Sequence, residues 1–423
     1  MRGSSSTSFF VLGSMLMSAV DVVRAEPRVA VAWSEGNGDS AVQAFDVQSP
    51  WSAVTPPLSV DPGPRLRFAR GRLFALSPVA GTIKVIDPTS WTVEDTFSLG
   101  GSSFPVDIAV VSPTRAYVTR ESATHLLRLD LVSGATSNVI NFAPMADADG
   151  VPDLGTMIVD GNRLLVQVRR LNSEEPEFFL RPAYIAVIDL VTETLVDVEP
   201  TTPGMQGISL EGTAPTFKMQ IGPRPRRLFV SAAYGTHTAG RVEMINLDTM
   251  QSLGIVAAEV DPPSGVCCDM APFVMVSSSR GYFTFSTDST LSSHLHFFTI
   301  GGGIDPTDLH TSLGYEAANH VHDPGTDHLF VPVLEDDPGF HIFDAGTGIR
   351  LSSSVIATPG LITDLELMCN CGEPGCGDLP ECTTIPAAST WGLVTLALML
   401  TIAGTVQLRR YPRRNWTTAA FGR

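Results

Sequence analysis

Positive charge is what this 423-residue chain has least of: its 27 basic residues include only two lysines, Lys84 and Lys218, against 44 acidic residues, for a formal net charge of −17. Four arginines, Arg409, Arg410, Arg413 and Arg414, crowd at the C-terminus, so the remainder is more acidic still. Such a surface excludes nucleic acid as a partner, because phosphate-backbone recognition needs a basic footprint. The chain also has no Gly-x-Ser-x-Gly elbow, no P-loop and no dinucleotide fingerprint; Gly301-Gly302-Gly303 reads as a turn between repeats. Enzymes that assemble their sites from scattered positions are not excluded by these absences.

What is present is a repeat. A short β-run is followed by a second β-run that usually ends in Asp or Asn, seven times over. The second runs are 42–46, 83–87, 126–130, 185–189, 242–246, 295–299 and 341–344, and their ends lie 41, 43, 59, 57, 53 and 45 residues apart. That spacing is near the length of one four-stranded propeller blade. First runs precede them at 28–32, 72–76, 115–119, 163–168, 227–231, 281–285 and 328–332. The 37 glycines and 31 prolines suit many short strands and turns, and a single ring absorbs a length that otherwise suggests two domains.

One unit shows the logic. In residues 81–91, Ile83 and Val85 share a face, and Asp87-Pro88 turns the chain because proline has no N–H for a ladder. Residues 92–98 then make an outer strand and 104–111 the inner strand of the next blade. From Ile83 to Thr119, with Tyr117-Val118-Thr119 at the name motif, the chain resembles the YVTN repeat of bacterial surface propellers. The loop Asp147-Ala148-Asp149-Gly150-Val151-Pro152-Asp153, with Met157, Arg169 and Leu171 after it, is similar to one in secreted bacterial propellers. The expected fold is therefore all-β, a seven-bladed β-propeller over 26–368. Residues 361–368 resemble the inner strand 105–111, whereas 28–33 reads as a second strand with none before it. The C-terminal strand is thus expected to complete the N-terminal blade and close the ring.

Both ends read as addresses. Arg2, the apolar stretch 9–20 and the small residues to Ala25 predict a signal peptide over 1–25. Residues 391–408 are mostly apolar and uncharged; as a helix they span roughly 27 Å, enough for a bilayer. The arginine cluster after them is expected to stay cytoplasmic, leaving the propeller outside. Ile385-Pro386, Trp391-Gly392, this transmembrane helix and the Arg cluster resemble an IPTL-CTERM sorting signal over 385–414, with Ala387, Ala388 and Thr390 departing from the usual pattern and a short tail at 415–423. The resemblance implies a sorting enzyme as partner, with a permanent membrane anchor as the alternative, and in either case an exported protein of a bacterial cell envelope or surface. Between propeller and membrane, 369–384 is a Cys/Gly/Pro-rich stalk. Its Cys369, Cys371, Cys376 and Cys382 lack the Cys-x-x-Cys pairing of a zinc knot and are expected as disulfides in an oxidising compartment. Cys267 and Cys268 are adjacent and either pair with each other or elsewhere.

The inner-strand starts carry the polar chemistry. Asp107, Asp153, Asp269, Asn319, His320 and Asp364 fall at equivalent places; they either satisfy turn and strand-start N–H groups or hold a ligand at the channel mouth. Asp107, Asp269, His320 and Asp364 are the candidate ligand-binding set. Asp147, Asp149 and Asp153 are a candidate metal set, with a divalent cation such as calcium as the cofactor, since a hard cation wants several oxygens on a tight Gly-containing loop. Histidines crowd the last third at 294, 296, 310, 320, 322, 328 and 341; the alternating pairs His294/His296 and His320/His322 would each share a strand face. The expected function is a non-catalytic surface binding or scaffold module with an envelope or extracellular protein or glycan as partner. The alternatives are a metal-dependent hydrolase of the lactonase-like propeller type and, from the vicinal cysteines, a quinoprotein-like dehydrogenase.

Overall fold

The computed structural model describes residues 27–369, apart from 172–182, 214, 216, 223–225, 235–238, 259–271, 287–291, 314–317 and 336. Seven antiparallel sheets follow one another along the chain. Blade 1 is built from Arg28–Ser34, Ser40–Asp46 and Leu58–Val60, with Leu361–Met368 as its inner strand. Blade 2 spans Arg65–Ala69 to Thr92–Ser98, blade 3 Pro105–Ser112 to Thr136–Asn141, and blade 4 Leu154–Asp160 to Ile208–Ser209. Blade 5 runs from Gln220–Ile221 to Gln251–Ala258, blade 6 from Phe273–Met275 to His310–Ser312, and blade 7 from Val321–Asp323 to Ile356–Ala357.

Each expected first run pairs with its second run as neighbouring strands. The ring closes as the sequence predicts: Arg28–Ser34 lies antiparallel to Leu361–Met368, with Ala32 opposite Asp364 and a bulge between Ala32 and Trp33. This pairing removes two open strand edges at once. Blades 4 and 6 carry a fifth strand, Ile208–Ser209 and His310–Ser312, each pairing the third strand beside the short fourth one. Gly301 to Gly303 form a turn inside blade 6, between Ser293–Thr299 and Gly303–Ile304, rather than between blades.

The repeat signature has a physical cause at the end of the third strand in every blade but the sixth, whose third strand ends at Thr299. Asp46, Asp87, Asp130, Asp189 and Asn246 each accept the N–H of the residue two further on, at 2.7–3.0 Å, and Asp344 accepts that of Thr347 at 2.7 Å. These side chains supply a turn that a β-ladder cannot. The N–H donors hold the Asp87, Asp130 and Asp189 carboxyls below their ordinary range. Four residues on, the chain enters the left-handed region, at Trp91 (φ 55°), Gly134 (φ 70°), Glu193 (φ 53°), Met250 (φ 55°) and Gly348 (φ 77°).

The core is divided among the blade interfaces. Leu66, Phe68 and Ile86 pack on Ala30 and Val42 between blades 1 and 2; Phe330, Phe340 and Ile342 pack on Val29 and Val31 where blade 7 meets blade 1. Equivalent clusters fill the other five junctions. A second strand is covered on both faces, so Arg72–Ser77 is buried at five successive positions, whereas the outer strand Thr92–Ser98 buries only Phe97. Strands covered on both faces read as continuous apolar runs rather than alternating ones.

Among the described residues no helix is long and apolar enough to cross a membrane. The expected signal peptide, transmembrane helix, sorting signal and most of the stalk lie outside the described residues, as do Cys267 and Cys268. Cys369 is buried at the end of the closing strand and is not a free thiol.

Candidate ligand site at the channel mouth

Asp107 and Asp364 line one cavity of about 420 Å³, together with Arg65, Arg67, Thr156, Lys218 and Asn319. All sit at or near the beginnings of inner strands, so the cavity opens where those strands enter the channel. Residues 257 apart in sequence thus share one wall, as ring closure requires.

Each carboxylate is already engaged. Asp107 accepts the Met157 N–H at 2.7 Å, that of Ile108 at 2.8 Å and the Arg67 Nε–H at 2.9 Å. Asp364 accepts the Leu66 N–H at 2.8 Å, that of Leu365 at 2.9 Å and the Asn319 Nδ2–H at 2.9 Å. Lys218 Nζ reaches Asp364 at 2.9 Å and Glu366 at 2.6 Å. These bonds clasp one blade to another: Asp364 and Glu366 bind the Leu66 and Phe68 amides of blade 2, Asp107 the Met157 amide of blade 4, and Gln220 the Met275 amide of blade 6. A buried N–H left without an acceptor costs about 1–3 kcal/mol, so the acids at strand starts have a structural role. Burial works against the Lys218 charge, but Asp364 and Glu366 outweigh it and raise its pKa above the ordinary lysine value.

The other predicted residues lie elsewhere. His320 does not face the mouth. It lines a second cavity of about 170 Å³ further along the channel, beyond Arg67, Lys218 and Asn319, which border both. Its Nε2 lies 3.0 Å from Thr284 Oγ1, and burial pushes it down to about 3. Asp269 lies outside the described residues. In the acidic loop, Asp149 accepts the Val151 N–H at 2.7 Å, and Asp153, at φ 51°, accepts that of Leu171 at 2.9 Å. Burial pushes Asp153 up to about 6. Asp147, Asp149 and Asp153 do not converge: among the described residues, the three potential ligand atoms that gather within 4.8 Å belong to His310, Glu335 and His341.

The histidine pairs adjacent in sequence take separate partners: His294 binds Asp308 at 2.7 Å, His296 the Asp305 carbonyl at 3.0 Å and His322 Asp327 at 3.0 Å. Arg67 and Lys218 are site residues that the sequence pattern did not single out. Lys218 carried one signal, as one of two lysines and set between Phe217 and Met219. Arg65 completes the rim. It is exposed, and its guanidinium has no hydrogen-bond or ion-pair partner among the described residues. It lies close enough to the buried Arg169 to oppose that charge.

No family model matches the chain, and no curated protein does. Solved structures do. A protein from Lactobacillus plantarum is 12% identical, with TM-score 0.56 over 81% of this chain and 99% of its own. A candidate 6-phosphogluconolactonase from Bacteroides fragilis is 11% identical, with TM-score 0.56 over 82% and 99%. The dihydro-heme d1 dehydrogenase NirN is 13% identical, with TM-score 0.51 over 81% and 75%. At such identities the likeness is one of fold, and folds of this kind host unrelated functions.

Proposed function

We propose that this protein is an exported propeller whose channel-mouth cavity binds a small carboxylate- or phosphate-bearing ligand, such as an acidic sugar unit of an envelope glycan. The observation that carries this reading is an unpartnered cation. Arg65, Arg67 and Lys218 line the cavity together with Asp107 and Asp364. Arg67 pairs with Asp107, and Lys218 with Asp364 and Glu366, so of the three cations the Arg65 guanidinium at the lip is the one without a partner among the described residues. A planar guanidinium matches a carboxylate or phosphate in two-point geometry. The same pairing weighs against a divalent cation between Asp107 and Asp364, since two fixed cations already hold them. Under this proposal residues 1–25 direct export, the cysteine stalk is disulfide-bonded, and the helix 391–408 with its sorting signal keeps the propeller at the cell envelope.

The test is a thermal-shift and calorimetric titration of the full-length protein with citrate, a hexose phosphate and neutral glucose. The expected result is stabilisation by the anions alone, weakened by salt and lost in Arg65→Glu. Absence of any anion effect, or an unchanged effect in Arg65→Glu, sinks the proposal. Ring-opening of simple lactones by the same preparation replaces it with the hydrolase reading.

A further inference from the structure

We propose that His310, Glu335 and His341 form a binding site for a zinc-class transition metal that bridges blades 6 and 7. His310 opens the fifth strand of blade 6, His341 lies on Pro338–Asp344 of blade 7, and Glu335 sits in the turn between His328–Leu334 and that strand. Blade packing brings the three together. Ser312 fixes the approach by accepting the Leu334 N–H at 2.7 Å and donating to the Leu334 carbonyl at 3.0 Å.

The spacing fits one ion. Glu335 Oε1 is 3.0 Å from His341 Nε2 and 3.4 Å from His310 Nε2. Two donors each about 2.0–2.1 Å from a tetrahedral zinc sit about 3.3 Å apart. His341 is oriented from behind by Ser352 Oγ, 2.9 Å from its Nδ1; with the proton on Nδ1, Nε2 turns its lone pair toward the carboxylate. An ordinary hydrogen bond to Glu335 accounts for His341 alone. It leaves His310 unexplained: this side chain is 10% exposed, and its Nε2 is buried and aimed at the same carboxylate without a hydrogen bond. A shared ion accounts for both rings.

Two imidazoles and one carboxylate select zinc, cobalt or nickel over calcium, which takes oxygen ligands. Asp308 and Arg350 add charges of opposite sign nearby. The Glu335 side chain is 34% exposed, so a fourth position stays open to water. An ion held only by the folded ring stabilises it by mass action at the junction one blade before closure.

The experiment uses the full-length protein, stripped with a chelator and titrated with zinc, then with cobalt(II). The wild type is expected to take up one equivalent more than His310→Asn or Glu335→Gln, with affinity at that equivalent at least about 100-fold higher. The melting midpoint should rise with zinc in the wild type only. Cobalt at this site should lack the thiolate charge-transfer band that marks binding by cysteine. Glu335 is partly exposed, so Glu335→Gln decides the matter if His310→Asn does not fold. Equal uptake by wild type and Glu335→Gln, or no zinc response in the stripped wild type, overturns the proposal.

Discussion

Lys218 Nζ lies 2.9 Å from Asp364 Oδ2, joining the start of blade 5 to the strand that closes the ring in blade 1. These blades face each other across the channel, and Glu366 makes the same contact at 2.6 Å. Lys218→Met keeps the stem and removes the charge, leaving two nearly buried carboxylates side by side. Removing one partner of such a pair is expected to cost about 3 kcal/mol in urea unfolding. Because the folded pKa of Lys218 is raised, its contribution is fully present below the unfolded value near 10.4 and is lost as pH rises through the folded value. The stability gap between wild type and Lys218→Met should therefore be constant at neutral pH and shrink in strong alkali. A gap that is absent at pH 7 refutes the strut.

Closure gives a second expectation. Leu361–Met368 supplies the inner strand of blade 1, and its Leu365 is fully buried among Val29, Val31 and Phe340. A chain ending at Gly360 loses that core, the Asp364 clasp and the covered edge of Arg28–Ser34 together. It should be insoluble or several kcal/mol less stable than one ending at Met368. Cooperative melting of both at the same temperature would remove closure as a source of stability.

The stalk is the third. Cys369 is not a free thiol, and Cys371, Cys376 and Cys382 follow within 13 residues. The full-length protein purified without reductant should give no thiol reaction before reduction, and mass spectrometry should place four stalk cysteines in two bridges. Free thiols in stoichiometric amount contradict this.

The ring was legible because its physics is local. The second strand Arg72–Ser77 is covered on both faces and reads as an apolar run, and the third, Thr82–Asp87, buries Ile83, Val85 and Ile86 and closes in the Asp87 turn. The inner strands of blades 5 to 7, Gln220–Ile221, Phe273–Met275 and Val321–Asp323, are two or three residues long, too short to carry a pattern. Asp107 and Asp364 could be paired in advance because closure and strand equivalence bring them together. Arg67 and Lys218 could not, since their importance depends on which carboxylates lie across the channel. His310 and His341 meet only because blade 6 carries a fifth strand, which no run of residues 310–312 predicts.

Asp153 gives the last expectation, and here the sign is opposite to that of the well-solvated Asx-turn acids. Burial favours its neutral form and lifts it to about 6, against an unfolded value near 3.8, although the Leu171 N–H pulls the other way. The folded state thus holds the proton more tightly. Its contribution to stability is fully present below pH 3.8 and is lost as pH rises through about 6. Asparagine keeps the oxygen that accepts the Leu171 N–H, tolerates the left-handed backbone at φ 51° and cannot ionise. Asp153→Asn should match the wild type near pH 4 and exceed it by about 1–3 kcal/mol above pH 7, with the difference growing between the two. Chemical denaturation across that range measures it, and adding calcium at pH 7 adds a second reading. A cation held by Asp147, Asp149 and Asp153 would stabilise the ionised wild type and close the gap. Because the three carboxylates do not converge, the gap is expected to persist with calcium.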